Sequence, residues 1–381
     1  MALLKFLMCS VFVSLTFTSS FPARAAQMPP VKAAYRPSWF SESFPPSAIN
    51  TALFTHVYFA FLMPSNHSFT FDLPDTTAAQ LSQFTTSLRR KKPPVKTLFS
   101  IGGGGSDSAL FARIASDASS RQIFIDSSIN TARKFGFDGL DLDWEFPKDT
   151  TEMKYFADLI TQWRKTIDRE AKLTSRPPLL ISAAVYYASE FLIYGEPRSF
   201  PAAAISKSLD WINVMCFDYH GSWDTTATGA HAALFDPHTN LSSHYGLRSW
   251  ISAGVPRNKI VMGIPLYGKS WTLKDPYVHG VGAPAVGVGP GDDGILTYVQ
   301  VKKFNQKTKA TVVYDIRTVS AYSYVNASWV GYDDVKSTTT KVEFARVNSL
   351  RGYFFWALSY DSADWEISTH ASNAWPVDHQ Y

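Results

Sequence analysis

Short apolar runs along the chain alternate with longer stretches in which apolar residues recur every three or four positions. Runs of the first kind fit strands buried on both faces, and stretches of the second kind fit amphipathic helices. The pattern predicts strands at Val31–Arg36, Thr55–Phe61, Lys96–Ile101, Gly139–Trp144, Leu179–Val185, Trp211–Phe217, Ile260–Pro265 and Gly352–Trp356. The clearest helices fall at Gln122–Phe135 and Glu152–Ala171. Eight strands alternating with helices predict an α/β fold, a (β/α)8 TIM barrel with its active site at the C-terminal strand ends. One connection breaks the rhythm: roughly 85 residues separate the seventh strand from the eighth, far more than one crossover helix requires. They include Pro284-Ala285-Val286-Gly287 and Trp329-Val330-Gly331-Tyr332-Asp333-Asp334, and predict a small α+β insertion beside the mouth of the barrel.

The fourth predicted strand carries the chemistry. In Phe137-Asp138-Gly139-Leu140-Asp141-Leu142-Asp143-Trp144-Glu145-Phe146-Pro147 apolar residues and acids alternate strictly from Leu140 to Phe146. Successive side chains of a strand point to opposite faces, so Asp141, Asp143 and Glu145 share one face at a spacing of about 6.6 Å. Leu140, Leu142 and Trp144 take the other face, together with Asp138. Three carboxylates in a row repel one another, and at least one of them holds a proton near neutral pH, as a general acid must. A calcium loop is excluded, because its Gly and polar spacers are replaced by Leu and Trp. A Mg²⁺ or Mn²⁺ site at the strand end is the remaining alternative, although no second acidic cluster of this kind occurs. No Gly-x-Ser-x-Gly elbow is present for a serine hydrolase.

Composition narrows the setting. The 381 residues, 45% apolar and 15% aromatic, suffice for one large barrel core. Met1–Lys5, the apolar Phe6–Phe17 and Ala23-Arg24-Ala25 read as the basic, apolar and cleavage regions of a secretory signal, too short for a membrane anchor. The mature protein is therefore expected to be exported, to the extracellular space or the vacuole, with no membrane partner. Loss of residues 1–25 removes Lys5 and Arg24 and no acid, leaving 34 basic against 32 acidic residues and lowering the net charge from +4 to +2. The basic run Arg89-Arg90-Lys91-Lys92 reads as the cap of a surface helix, and no nucleic-acid partner is expected. Cys9 leaves with the signal, so Cys216 stands alone and an intrachain disulfide is impossible. Sequons at Asn66, Asn240 and Asn326 fit export and glycosylation. The chain thus divides into a signal at 1–25, barrel strands one to seven at 26–268, the insertion at 269–334, and strand eight with a C-terminal helix at 335–381.

Asp138-Gly139-Leu140-Asp141-Leu142-Asp143-Trp144-Glu145 resembles the DxxDxDxE signature of glycoside hydrolase family 18, and the chain from Tyr35 to Trp356 resembles the plant class V chitinases. The resemblance implies that Tyr35 and Phe61 line the pocket for the reacting sugar, and that Ser100-Ile101-Gly102-Gly103 matches the family's SxGG element, placing Gly103 against ligand. It further implies that Met215, Phe217 and Asp218 border the site, that Tyr267 follows strand seven, and that Trp356 forms an apolar floor. Non-proline cis peptides are expected at Ala60–Phe61, Glu145–Phe146 and Trp356–Ala357. The insertion would form one wall of the substrate groove.

The implied mechanism is substrate-assisted and retaining, without an enzyme nucleophile, metal or cofactor. Glu145 would be general acid and then base. Asp143 would orient the acetamido N–H of a chitooligosaccharide, and Asp141 would tune Asp143. One position departs from the family: where a tyrosine usually donates to the acetamido carbonyl, this chain has Phe217, and losing such a donor typically costs on the order of 10²–10³ in rate. Tyr219, on the same strand parity as Phe217, is the candidate to supply that hydroxyl. Three readings stay open. They are a chitinase, a hydrolase of lipo-chitooligosaccharides (Nod factors) whose acyl chain sits on the apolar loop Val281–Val288, and a chitin-binding lectin, against which the retained Glu145 argues. A monomer is expected.

Overall fold

The computed structural model describes residues 29–193 and 196–376. The predicted signal at 1–25, with Cys9, lies outside the described residues. The first elements are β1 (Val31–Pro37), β2 (His56–Leu62), α1 (Asp75–Arg89), β3 (Lys96–Gly102), α2 (Ser108–Ser116), α3 (Ala118–Phe135), β4 (Gly139–Asp143), α4 (Thr150–Thr174) and β5 (Leu180–Val185), with no α-helix between β1 and β2 and two between β3 and β4. After a hairpin of β6 (Glu190–Ile193) and β7 (Glu196–Ser199) come α5 (Ala202–Ser208), β8 (Trp211–Val214), α6 (Ser243–Ser252) and β9 (Ile260–Pro265).

A second sheet follows, made of β10 (Tyr267–Leu273), β11 (Ala285–Val288), β12 (Ile295–Thr297), β13 (Thr311–Asp315), β14 (Ser320–Val325) and β15 (Ser328–Tyr332), with α7 (Tyr298–Thr308) between β12 and β13. Helix α8 (Val335–Val347), β16 (Gly352–Trp356) and α9 (Glu366–Ala374) complete the chain. Eight parallel strands close a barrel in the order β1-β16-β9-β8-β5-β4-β3-β2. The antiparallel sheet, in the order β11-β10-β15-β14-β13 with β12 on β10, is the α+β element that the long connection predicts. It begins at Tyr267 rather than Lys269.

Local chemistry explains the boundaries. Asp117 accepts from Ser119 and Ser120 N–H at the start of α3, whose end is a left-handed Gly136 at φ +72°. Asp149 caps α4 by accepting from Glu152 N–H, and α4 buries Met153, Phe156, Leu159, Ile160, Trp163 and Ile167 at helical spacing. On β4 the parity argument is realised in packing. Leu140, Leu142 and Trp144 join the apolar layer between barrel and helices, while Asp141 and Asp143 point into the barrel interior, itself filled by Tyr35, Tyr58, Leu98, Trp211, Val261 and Phe354. The antiparallel sheet has a core of its own, in which Trp271 and Trp329 face each other in register at 5.4 Å and Tyr322 stacks on Trp329.

Candidate active site

Register builds the site from below. Ser100 on β3 and Ser182 on β5 lie level with Asp141 on β4, so all three side chains share one interior layer. Ser182 and Asn213 donate to Asp141 Oδ1 at 2.6 and 3.2 Å, and Ser100 and Tyr35 donate to Oδ2 at 2.7 and 2.8 Å. Complete burial raises the Asp141 carboxyl above the ordinary range, and these four donors oppose that shift. Asp141 therefore sits beneath the pocket as its support and does not line it.

One pleat higher, Asp143 lies level with Gly102. A Cβ at Gly102 would meet the Asp143 carbonyl oxygen at 2.1 Å, and the backbone there has φ +114°, so only glycine fits. Burial, followed by the charges of Glu145 and Asp141, holds the Asp143 carboxyl well above its ordinary range. Its Oδ1 is buried without a hydrogen-bond partner among the described residues. Glu145 lies just past the end of β4, half-buried, and its carboxyl is pushed up to about 7, first by burial and then by the charge of Asp218. The pair holds a proton at neutral pH beside an acceptor that has nothing to accept.

Above the acids opens a pocket of about 290 Å³. Tyr35, Phe61, Met215, Phe217, Asp218, Tyr267 and Trp356 all line it, together with Asp143 and Glu145. The Trp356 ring stacks on Phe61 at 5.5 Å and leans on Tyr35 at 5.7 Å, giving a flat apolar floor. The cis peptides expected at Ala60–Phe61, Glu145–Phe146 and Trp356–Ala357 are present. A larger groove of about 450 Å³ lies at the opposite end of the barrel, but its one lining carboxylate, Asp138, is paired with Lys96 at 3.0 Å and leaves no free carboxyl.

Three expectations fail. Gly103 does not line the pocket: its φ of +95° and a Cβ that would press to 2.5 Å on Phe61 show that it seats the Phe61 ring, and the glycine facing Glu145 is Gly104. Nor does Tyr219 replace the hydroxyl absent from Phe217. Strand β8 stops at Val214, where Cys216 N–H turns back onto the Val214 carbonyl, so strand parity no longer relates positions 217 and 219. The Tyr219 ring is buried against Tyr187, and its hydroxyl lies 3.2 Å from Ser243 Oγ. Phe217 itself packs edge-on against Tyr267 and Phe354. The stretch Val281–Val288 is likewise outside the pocket: Val281 packs into the core of the antiparallel sheet and residues 285–288 form β11.

Sequence reasoning also passed over Gly104, Phe146, Ala184, Tyr186 and Phe354, which complete the lining. Ala184 and Phe354 follow from parity on strands already recognised, whereas Tyr186 lies beyond β5 and carries no motif. Among the described residues there is no cluster of three or more His, Cys, Asp or Glu side chains arranged to hold a metal ion. No helix among them is long and apolar enough to cross a membrane.

A barrel whose fourth strand delivers a proton-sharing carboxyl pair to a pocket floored by a flat aromatic ring defines a glycoside hydrolase. The profile described as Glycosyl hydrolases family 18 matches residues 32–361, and the chain belongs to that family, as an enzyme of the class V chitinase type. It is 50% identical to a class V chitinase of Medicago truncatula over 334 residues, 88% of each chain. It is 52% identical to Nod factor hydrolase protein 1 of the same plant over 338 residues, 87% of each. Its structure superposes on a mutant class V chitinase of Nicotiana tobaccum in complex with NAG4, with a TM-score of 0.87 and 37% identity, covering 91% of this chain and 99% of that one.

Proposed function

We propose that the protein hydrolyses β-1,4-linked N-acetylglucosamine oligomers and polymers internally, with retention of configuration, using the substrate's own acetamido group as nucleophile. The observation that carries this reading is the pairing of Glu145, whose carboxyl is pushed up to about 7, with the unpartnered buried oxygen of Asp143. Glu145 gives its proton to the glycosidic oxygen. Asp143 Oδ1 accepts the acetamido N–H, which holds the carbonyl oxygen against the anomeric carbon and stabilises the positive charge that forms there. Bond cleavage leaves an oxazolinium ion on the sugar; Glu145, now a carboxylate, takes a proton from the incoming water. Trp356 supports the apolar face of the ring. The N-acetylglucosamine tetramer bound by the Nicotiana relative supports this substrate class. Export fits the exposed sequons at Asn66, Asn240 and Asn326, and we propose a secreted, glycosylated monomer.

A second reading is a lipo-chitooligosaccharide hydrolase, favoured by the similarity to the Nod factor hydrolase and by Phe217, which removes a polar contact to the plain sugar. Product analysis with N-acetylglucosamine hexamer and an acylated chitooligosaccharide, with Glu145→Gln as control, separates the readings. Cleavage of the hexamer that is lost in the control is the expected result. Cleavage of the acylated substrate alone establishes the second reading, and binding without cleavage of either makes the protein a lectin.

A further inference from the structure

Asp218 stands just beyond β8 with its backbone in the left-handed region, at φ +60°, and its side chain 43% exposed in the pocket. Three groups converge on one of its oxygens. Tyr267 donates its hydroxyl to Oδ1 at 2.8 Å, Lys269 places Nζ 3.4 Å away, and His231 Nδ1 stands at 3.8 Å. No hydrogen bond to Oδ2 occurs among the described residues, which leaves that oxygen to the pocket.

Lys269 is an unusual member of this group. Its side chain is only 7% exposed, with Nζ over the Trp223 ring at 5.1 Å and the Tyr267 ring at 5.6 Å. Asp218 is the one carboxylate within ion-pair distance of it among the described residues. Two residues apart on β10, Tyr267 and Lys269 project from the same face of the strand, so one element aims both at Asp218. His231 is 1% exposed and closes the cluster from behind. Its Nε2 lies 3.0 Å from the Tyr267 carbonyl, which only accepts, so the hydrogen is on Nε2. Nδ1 has no hydrogen-bond partner and faces Asp218 across a gap too long for one.

Burial alone raises the Asp218 carboxyl; the charge of Lys269 and the hydrogen bond from the Tyr267 hydroxyl bring it below the ordinary range. Asp218 is in turn the charge that, after burial, does most to keep Glu145 protonated.

We infer that Lys269, with His231 behind it, is a positioning residue that clamps Asp218 Oδ1, keeps that carboxylate ionised and directed at Glu145, and so sets the pH window of the enzyme. The inference rests on the hydrolytic role proposed for Glu145. The titratable groups facing Asp218 are Glu145 from the end of β4, Tyr267 and Lys269 from β10, and His231 from the loop before α6, with Tyr360 behind Tyr267. Removing the ammonium has two consequences of the same sign. The uncompensated Asp218 raises the pH at which Glu145 loses its proton, and Asp218 itself takes up a proton at higher pH. Both limbs of the activity profile therefore move to higher pH. An opposite charge this close shifts a carboxyl by one to three units, and the partial exposure of Asp218 reduces that to about 0.5–1 unit.

The test is the pH profile of kcat/KM for N-acetylglucosamine hexamer, run beside ¹³C titration of the Glu145 carboxyl, for the wild type, Lys269→Met, Lys269→Arg and Lys269→Gln. An upward move of both limbs and of the Glu145 midpoint in Lys269→Met, reversed in Lys269→Arg, is the expected result. An unmoved Glu145 midpoint in folded Lys269→Met, or an equal shift in Lys269→Arg, overturns the inference. Should Lys269→Met fail to fold, Lys269→Gln decides: it keeps a polar head at the site and removes the charge, and an unmoved Glu145 midpoint overturns the inference while an upward one upholds it. Failure of the wild type to cleave the hexamer would sink the chitinase reading alone, because the carboxyl titration needs no turnover.

Discussion

The antiparallel sheet is tied to the barrel by a buried ion pair whose removal has a calculable cost. Lys341 on α8 donates to Asp333 Oδ1 and Oδ2 at 2.5 and 2.6 Å and to the Ala232 carbonyl at 2.5 Å, and both side chains are 1% exposed. Lys341→Met leaves Asp333 charged, buried and unpaired, which costs about 3–5 kcal/mol. With an unfolding entropy of about 2.1 cal/mol/K per residue, some 350 ordered residues give about 0.7 kcal/mol/K, so the midpoint should fall by about 4–7 °C. Because water and ions do not reach the pair, the loss should be nearly the same in 0.05 M and 1 M NaCl, conditions chosen about twentyfold apart to vary screening. Scanning calorimetry of the wild type, Lys341→Met and the double variant Lys341→Met/Asp333→Leu measures it. The double variant removes both charges and should regain most of the loss. A single variant that melts within about 1 °C of the wild type would refute the assignment of a desolvated charge to Asp333. So would a double variant no more stable than the single one.

Other expectations concern the pocket. Activity should decline as pH rises through about 7, where Glu145 loses the proton it donates; a basic limb unchanged in position across pocket variants that alter burial of Glu145 would argue against that residue as the acid. The same group affects stability. Its folded-state pKa lies above the ordinary 4.5, so its favourable contribution is full below about 4.5 and is lost as pH rises to about 7. Thermal midpoints should show Glu145→Gln gaining on the wild type across that interval, and a constant difference would contradict it. Phe217→Tyr should raise kcat on the plain hexamer by up to about 10²-fold by restoring a donor to the acetamido carbonyl. An unchanged kcat there would mean that another pocket group already serves the carbonyl.

The barrel and its acids were legible because their signals are local. A parallel strand buried on both faces reads as an apolar run, and the alternation in β4 separates Leu140, Leu142 and Trp144 from Asp141, Asp143 and Glu145 whatever the remainder of the chain does. Strand ends were less legible. Nothing in Met215-Cys216-Phe217-Asp218-Tyr219 announces that β8 stops at Val214, and the mistaken role for Tyr219 followed from extending a parity beyond the hydrogen bonds that maintain it. Gly103 was misplaced for a related reason: the motif marks a glycine pair but not which member meets ligand and which makes room for Phe61.

The sequence by itself determined the eight-fold alternation, the face on which the acids lie, and through them the family. Each depends on periods of two and 3.6 residues that survive without knowledge of distant partners. Tertiary structure alone decided how those acids behave. Asp141 owes its four donors to β1, β3, β5 and β8, and Asp218 owes its clamp to a lysine 51 positions away and a histidine 13 away. Burial and neighbouring charge are properties of the assembled barrel, and they decide which carboxyl keeps a proton at neutral pH.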